Sequence, residues 1–363
     1  MSAQQKILCS LLFFFSAIFS LWASGSQEAQ QGITVTDSIG NHVVLPASPE
    51  RIVVAGKSTL ITADTLFLFP EARGKVIGLG KTNQGLGDFF PYLDPNIGEI
   101  TRIGHEVGPE QVVALKPDLF IVKDFVYEKL GAPVAKLGVP TIALSLETPS
   151  QYIDDIMIVG RIFGDTKRAE AINAYYADFL DRINKKVGKI PEQNKPSVLL
   201  LYYSNKGGER AFNISPASWI QTAQVEKAGA KAVWKESNKG GGWKTVNFEQ
   251  IAAWDPDYIF ITSFNSDSGD FLPGILADTT WQQLRAAKAG RVQAVPSDFH
   301  SWAQPDTRWI LCIGWMAKTL YPEEFSDMKI SDEVIRFYNE LYHLDQSVIE
   351  EVVLPRLEGE IAE

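Results

Sequence analysis

The chain has 363 residues, 45% hydrophobic and 21% charged, with a formal net charge of −10. This is ordinary globular composition, with apolar material for one large or two moderate domains. The acidic balance, without a long basic run, argues against nucleic acid as partner, because phosphate binding draws on an excess of Lys and Arg.

The first element is a secretory signal, assigned to residues 1–25. Lys6 precedes an apolar run from Ile7 to Ala23, followed by the small residues Ala23-Ser24-Gly25-Ser26. An extracytoplasmic, periplasmic location follows. Cys9 lies inside the apolar run, too early to be a lipid attachment site, so a lipid anchor is not supported. Cys312 then stands alone in an apolar helical stretch and reads as a buried small hydrophobe.

The mature part opens with a hairpin, Ile33–Thr36 and Val43–Leu45 around the turn Asp37-Ser38-Ile39-Gly40-Asn41, closed by Pro46 and Pro49. Strands are predicted at 51–56, 76–80, 119–122 and 141–144, with helices at 58–69, 110–115 and 127–137. A long helical region covers about 150–187, with Gly164-Asp165 offering one break. Strand–helix alternation then resumes. Strands are predicted at 198–203, 258–262 and 291–295, and helices at about 218–228, 243–253 and 281–287. A final helical part runs from 306 to 342. The fold class is α/β: two Rossmann-like lobes (32–150 and 195–345) with mainly parallel sheets, joined by one long rigid helix (151–188), with a ligand cleft between them.

One segment is used twice. Glu110-Gln111 stands ahead of Lys116-Pro117-Asp118-Leu119 at the same offset as Glu249-Gln250 ahead of Asp255-Pro256-Asp257-Tyr258, and an apolar run follows each time. Further features surround these units. They are Asp37-x-x-Gly40 with Leu45-Pro46, Pro49-x-Arg51-Ile52-Val53, Leu137-Gly138-Val139-Pro140 and Gly160-x-x-x-Gly164 with Arg168-Ala169. Later come Trp281-x-x-Leu284-x-Ala286 with Gly290-Arg291-Val292, and Tyr321-Pro322. In this order and spacing the chain resembles the substrate-binding proteins of ABC importers for iron–siderophore complexes, haem and cobalamin, the helical-linker or class III periplasmic binding proteins.

The resemblance implies a binding protein without catalytic residues or an intrinsic cofactor. It would carry a small-molecule metal chelate to an ABC permease and its ATPase, as a monomer. It also implies that Glu110 and Glu249, one per lobe, dock into arginine pockets of the permease, which charge-assisted bonding would favour. Read from the residues alone, the same two glutamates are helix N-terminal acids.

Ligands of parallel sheets bind beyond the carboxyl ends of the strands. The segments found there are Lys57-Ser58, Lys81-Thr82-Asn83-Gln84, Lys123-Asp124, Ser204-Asn205-Lys206 with Arg210, Ser263-Phe264-Asn265 and 297–302. Gly240-Gly241-Gly242 leads into Trp243. The ligand-binding candidates are Lys57, Lys81, Thr82, Asn83, His105, Lys123, Arg210, Trp243, His300 and Trp302. Trp243 matches a family position where an aromatic faces the ligand. His105 lies near the corresponding first-lobe position and is a metal ligand through a bound chelate, or a polar surface residue. Trp302 would stack on a flat ligand. Cations gathered at the cleft would favour a ligand with negative groups, such as a ferric siderophore or haem.

Two other classes of function are to be set beside this one. A bare Zn or Mn ion would need several histidines, and only His105 and His300 of the four reach the expected cleft; an oxyanion held by backbone N–H groups and hydroxyls stays open. An enzyme is disfavoured by the absence of a GxSxG, HExxH or Walker A sequence.

Overall fold

A computed structural model describes residues 32–81, 84–104, 106–206 and 208–361. The signal segment, Thr82, Asn83 and His105 lie outside the described residues. No helix among the described residues is long and apolar enough to cross a membrane.

The hairpin β1 (Ile33–Thr36) and β2 (His42–Leu45) is antiparallel. Its turn is held by Asp37, whose carboxylate accepts from Asn41 N at 2.8 Å and Ile39 N at 3.1 Å. The same carboxylate accepts from Ala143 N at 3.1 Å, which fastens the hairpin to the first lobe.

In that lobe β3 (Ile52–Val54), β4 (Val76–Gly80), β5 (Thr101–Ile103), β6 (Leu119–Lys123) and β7 (Thr141–Leu144) form a parallel sheet in the order β5-β4-β3-β6-β7. Every residue of β3, β6 and β7 is buried, as expected of parallel strands covered on both faces. Gly80 lets β4 pass close to the helix Thr59–Leu66, where a Cβ would come within 2.7 Å of Thr59 Oγ1.

The second lobe contains β8 (Ser197–Lys206), β9 (Glu209–Ile214), β10 (Lys231–Ala232), β11 (Lys244–Val246), β12 (Tyr258–Thr262) and β13 (Val292–Ala294), in the order β11-β9-β8-β12-β13 with β10 beside β8. β10, β8, β12 and β13 pair in parallel, while β9 alone runs against the others and pairs antiparallel with both β8 and β11. The expected helix at 243–253 is in fact β11 followed by a helix at Phe248–Trp254, begun by Asn247, whose side chain accepts from Gln250 N.

The long helical region is two helices, Pro149–Phe163 and Thr166–Val187, and not one. Gly164 adopts φ 72°, where glycine is favoured, and Asp165 caps the second helix by accepting from Arg168 N at 2.9 Å. The linker proper, Thr166–Val187, packs on Trp309–Leu320, with Tyr176 stacked on Trp309 at 5.4 Å. Phe179 fits over Gly314, where a Cβ would stand 2.7 Å from its ring.

Candidate functional site

A cavity of about 560 Å³ opens between the lobes at the carboxyl ends of the strands. The first lobe contributes Ser58 and Ile61 after β3, Asp124 and Phe125 after β6, and Glu147, Thr148 and Gln151 after β7. The second contributes Ser218, Trp219 and Gln221, then Gly241 and Trp243, Phe264 after β12, and Pro305. The N-cap residues of three helices stand on this wall. They are Ser58 before Thr59–Leu66, Thr148 before Pro149–Phe163 and Trp219 before Ile220–Lys227. Each brings the positive end of a helix dipole toward the cavity.

The second-lobe wall is aromatic. Trp243 lies edge-on to Trp219 at 5.6 Å and to Phe264 at 5.9 Å. Tyr202 stacks behind Phe264 at 4.6 Å. The facing wall is acidic, with Asp124 and Glu147. Among the described lining residues none is Lys, Arg or His.

The structure therefore places the sequence-derived candidates differently. Trp243 is on the cavity wall. Lys123, which was expected to point inward, is 1% exposed; its Nζ bonds Ser145 O and pairs with Glu147 Oε1 at 2.9 Å. Burial pushes the Glu147 carboxyl above its ordinary value, against the pull of Lys123. Lys57 is exposed and away from the wall, and Arg210 is exposed on β9. Lys81 lines a separate cavity of about 360 Å³ with Arg102 and Asp88, which meets the main one at Gln84. The expected cationic cleft is thus replaced by an aromatic and acidic one.

His300 and Trp302 are not at the cleft surface; both are 0% exposed. They belong to a buried charge cluster that ties the lobes together. Arg308 Nη1 donates to Asp64 Oδ2 of the first lobe at 2.5 Å, and Arg308 Nε donates to Asp298 Oδ1 at 2.8 Å. His300 Nδ1 lies 2.9 Å from Asp306 Oδ2, and Trp302 Nε1 donates to Asp298 Oδ2 at 3.0 Å. Asp64, His300 and Asp306 are close enough to hold a metal ion, but the Arg308 guanidinium already sits among them, 3.0 Å from His300 Nδ1. Burial alone would raise the Asp64 carboxyl; Arg308 and His300 outweigh it and hold it well below the usual range. A second crossing lies nearby, where Gly85 N donates to Phe264 O and Leu86 N to Phe299 O.

Some of the lining residues lie in the segments that sequence reasoning chose, whereas Glu147, Thr148 and Gln151 after β7 and Ser218, Trp219 and Gln221 lie outside them. Ser58, Asp124 and Phe264 are neighbours of residues that were singled out or stand inside the same loops. Thr148 carries a legible signal, a threonine before Pro149 at a helix start.

Glu110 and Glu249 are exposed in the first turns of Pro109–Val113 and Phe248–Trp254, and among the described residues neither makes an ion pair.

The two-lobed fold with an interlobe cavity can be set beside known proteins. The family described as "Periplasmic binding protein" matches residues 92–299, more than half of the chain. The chain belongs to this family. A relative in it, the molybdate-binding protein MolA of Haemophilus influenzae, is 24% identical over 90% of this chain and 95% of its own length. The iron(3+)-hydroxamate-binding protein YxeB of Bacillus subtilis is 25% identical over 79% of this chain and 86% of its own. Among solved structures, molybdate-bound MolA superposes with a TM-score of 0.71 at 20% identity, covering 85% of this chain and 98% of that one. A periplasmic solute-binding protein of Veillonella parvula gives 0.69 at 24% identity, covering 88% and 96%. The chain is thus a periplasmic binding protein of the kind that serves ABC transporters, and its relatives bind solutes and are not enzymes.

Proposed function

We propose that the chain is the extracytoplasmic capture component of an ABC importer and that its cargo is a metal chelate, a ferric hydroxamate siderophore in particular. The observation that carries this reading is the cavity itself. Its volume of about 560 Å³ suits a ligand of drug-like size. Trp219, Trp243, Phe264 and Phe125 offer apolar contact area, while the hydroxyls of Ser58 and Ser218 offer polar contacts to chelate oxygens. Haem propionates and anionic catecholate complexes would meet Asp124 and Glu147 without a described cation on the wall. Ferric trihydroxamates are neutral or cationic and avoid that penalty. The relationship to YxeB points the same way.

A tetrahedral oxyanion is the second reading, favoured by the three helix N-termini and by the relationship to MolA. Against it stand the two carboxylates and a cavity several times the size of such an ion. Delivery would proceed by docking of Glu110 and Glu249 on the two halves of the permease. Isothermal titration of the mature protein with ferric desferrioxamine and with molybdate tests the cargo. Saturable binding of the chelate alone supports the first reading; binding of molybdate alone overturns it.

A further inference from the structure

We propose that Asp124, with the ring of Phe125 beside it, is a seat for a positively charged ammonium group on the captured chelate. The inference rests on the hydroxamate reading and narrows it to a cationic ligand.

Four charged groups meet at this edge of the first lobe, Lys123, Asp124, Glu147 and, behind them, Asp155; of the two carboxylates on the cavity wall only Asp124 has no cationic partner among the described residues. Lys123 Nζ turns into the protein and pairs with Glu147 at 2.9 Å. Asp124 has no described cation within ion-pair distance. Its Oδ2 accepts from Ser145 Oγ at 2.6 Å, and its Oδ1 from Phe125 N at 2.6 Å. Both donors are neutral, so they fix the carboxylate's orientation without cancelling its charge. Lys123 and Glu147 offset each other, and Asp124, with Asp155 behind it, keeps this partly enclosed wall negative, where low-dielectric surroundings strengthen the field.

Phe125 is 58% exposed and stands on the cavity wall. Its ring lies 6.0 Å from Lys123 Nζ, at the outer limit of a cation–π contact, so it is still available to a second cation and its alkyl stem. The opposite wall carries no charged side chain among its described residues. Gln221 is 1% exposed and lines the cavity; its Nε2 donates to Ala303 O at 2.9 Å, which fixes the amide orientation. That leaves Gln221 Oε1 as a buried acceptor without a donor.

Ferric desferrioxamine B ends in a free ammonium arm, and its N-acetylated form carries a neutral amide in its place. The wild-type protein should bind the ammonium form roughly tenfold more tightly by fluorescence or calorimetric titration. Asp124→Asn, checked for an unchanged melting temperature, should bring the ratio of the two affinities to about one. Equal wild-type affinity for the two chelates, a comparison that needs no variant, overturns the seat while leaving the hydroxamate reading standing. So does an equal loss for both in Asp124→Asn. Failure of both chelates to bind overturns the seat and the hydroxamate reading together.

Discussion

Asp118 and Asp257 hold equivalent positions in the two lobes and do the same work. Asp118 accepts from Glu50 N at 2.8 Å and Arg51 N at 2.9 Å, at the start of β3. Asp257 accepts from Ser197 N at 2.8 Å, at the start of β8. In each lobe the residue two before the aspartate has a left-handed backbone, Lys116 at φ 51° and Asp255 at φ 41°. An arginine closes each turn: Arg51 donates to Lys116 O, and Arg285 to Asp255 Oδ2. The repeated Pro-Asp is therefore the clamp that sets a helix-to-strand turn against the neighbouring strand.

Removing either carboxylate should destabilise its lobe. Asp118→Ala and Asp257→Ala are each expected to lose about 1–3 kcal/mol in urea unfolding, from backbone donors left without partners. Burial would raise the Asp257 carboxyl, but its bonds from Ser197 and Arg285 hold it below the ordinary value of 3.8. A depressed folded value means a contribution fully present above pH 3.8 and lost as pH falls through the folded value. The penalty of Asp257→Ala should therefore shrink in acid.

Exchange of Glu110 and Glu249 for alanine should abolish uptake in cells or reconstituted membranes and leave ligand affinity unchanged. Both side chains are exposed and remote from the cavity wall. A parallel loss of affinity would show that they act through the cleft and not at a permease.

The Asp64–Arg308 pair should be the costliest contact to break by single substitution. Arg308→Met leaves Asp64 and Asp298 buried without their guanidinium and is expected to lose about 3–5 kcal/mol by urea unfolding. Adding Asp64→Asn to it should cost less than the two single changes summed, because the second change removes one of the stranded charges.

Asp155 lies behind the acidic wall. It accepts from Ser145 N at 2.9 Å and Leu146 N at 2.7 Å, holding Leu146 at φ 52° just ahead of Glu147. Burial pushes its carboxyl up to about 6, above the unfolded value of 3.8, despite the bonds from Ser38, Leu146 and Ser145. The folded form then binds its proton more tightly. The resulting stability is complete below pH 3.8 and is lost as pH rises through about 6. Asp155→Asn should flatten this dependence, by on the order of 2 kcal/mol between pH 4 and pH 7 in unfolding measurements.

Local patterns made most of the fold legible. β3 is an uninterrupted apolar run, β6 and β7 are apolar but for Lys123 and Thr141 at their ends, and the Pro-Asp units repeat within short windows. The antiparallel β9 and β11 were hidden because β11 is only three residues long and abuts the helix at Phe248–Trp254. At the site, the strand-end rule found some of the right loops, missed those around Glu147 and Trp219, and did not resolve which side chains face the cavity. Lys123 and Asp124 are adjacent in sequence, yet one turns inward to Glu147 and the other faces the cavity. His300 and Trp302 follow a strand end like the others, but their partners Asp64 and Asp298 become visible only once the lobes are packed.

The central claim is that the aromatic and acidic cleft receives a metal chelate. Trp219 and Trp243 stand on its wall, whereas Trp302, Trp309 and Trp315 are buried away from it. Titration with ferric desferrioxamine B should quench tryptophan emission saturably at one equivalent, and Trp243→Phe with Trp219→Phe should remove most of that quenching. Unchanged emission and melting temperature with the ferric chelate in excess would contradict the claim.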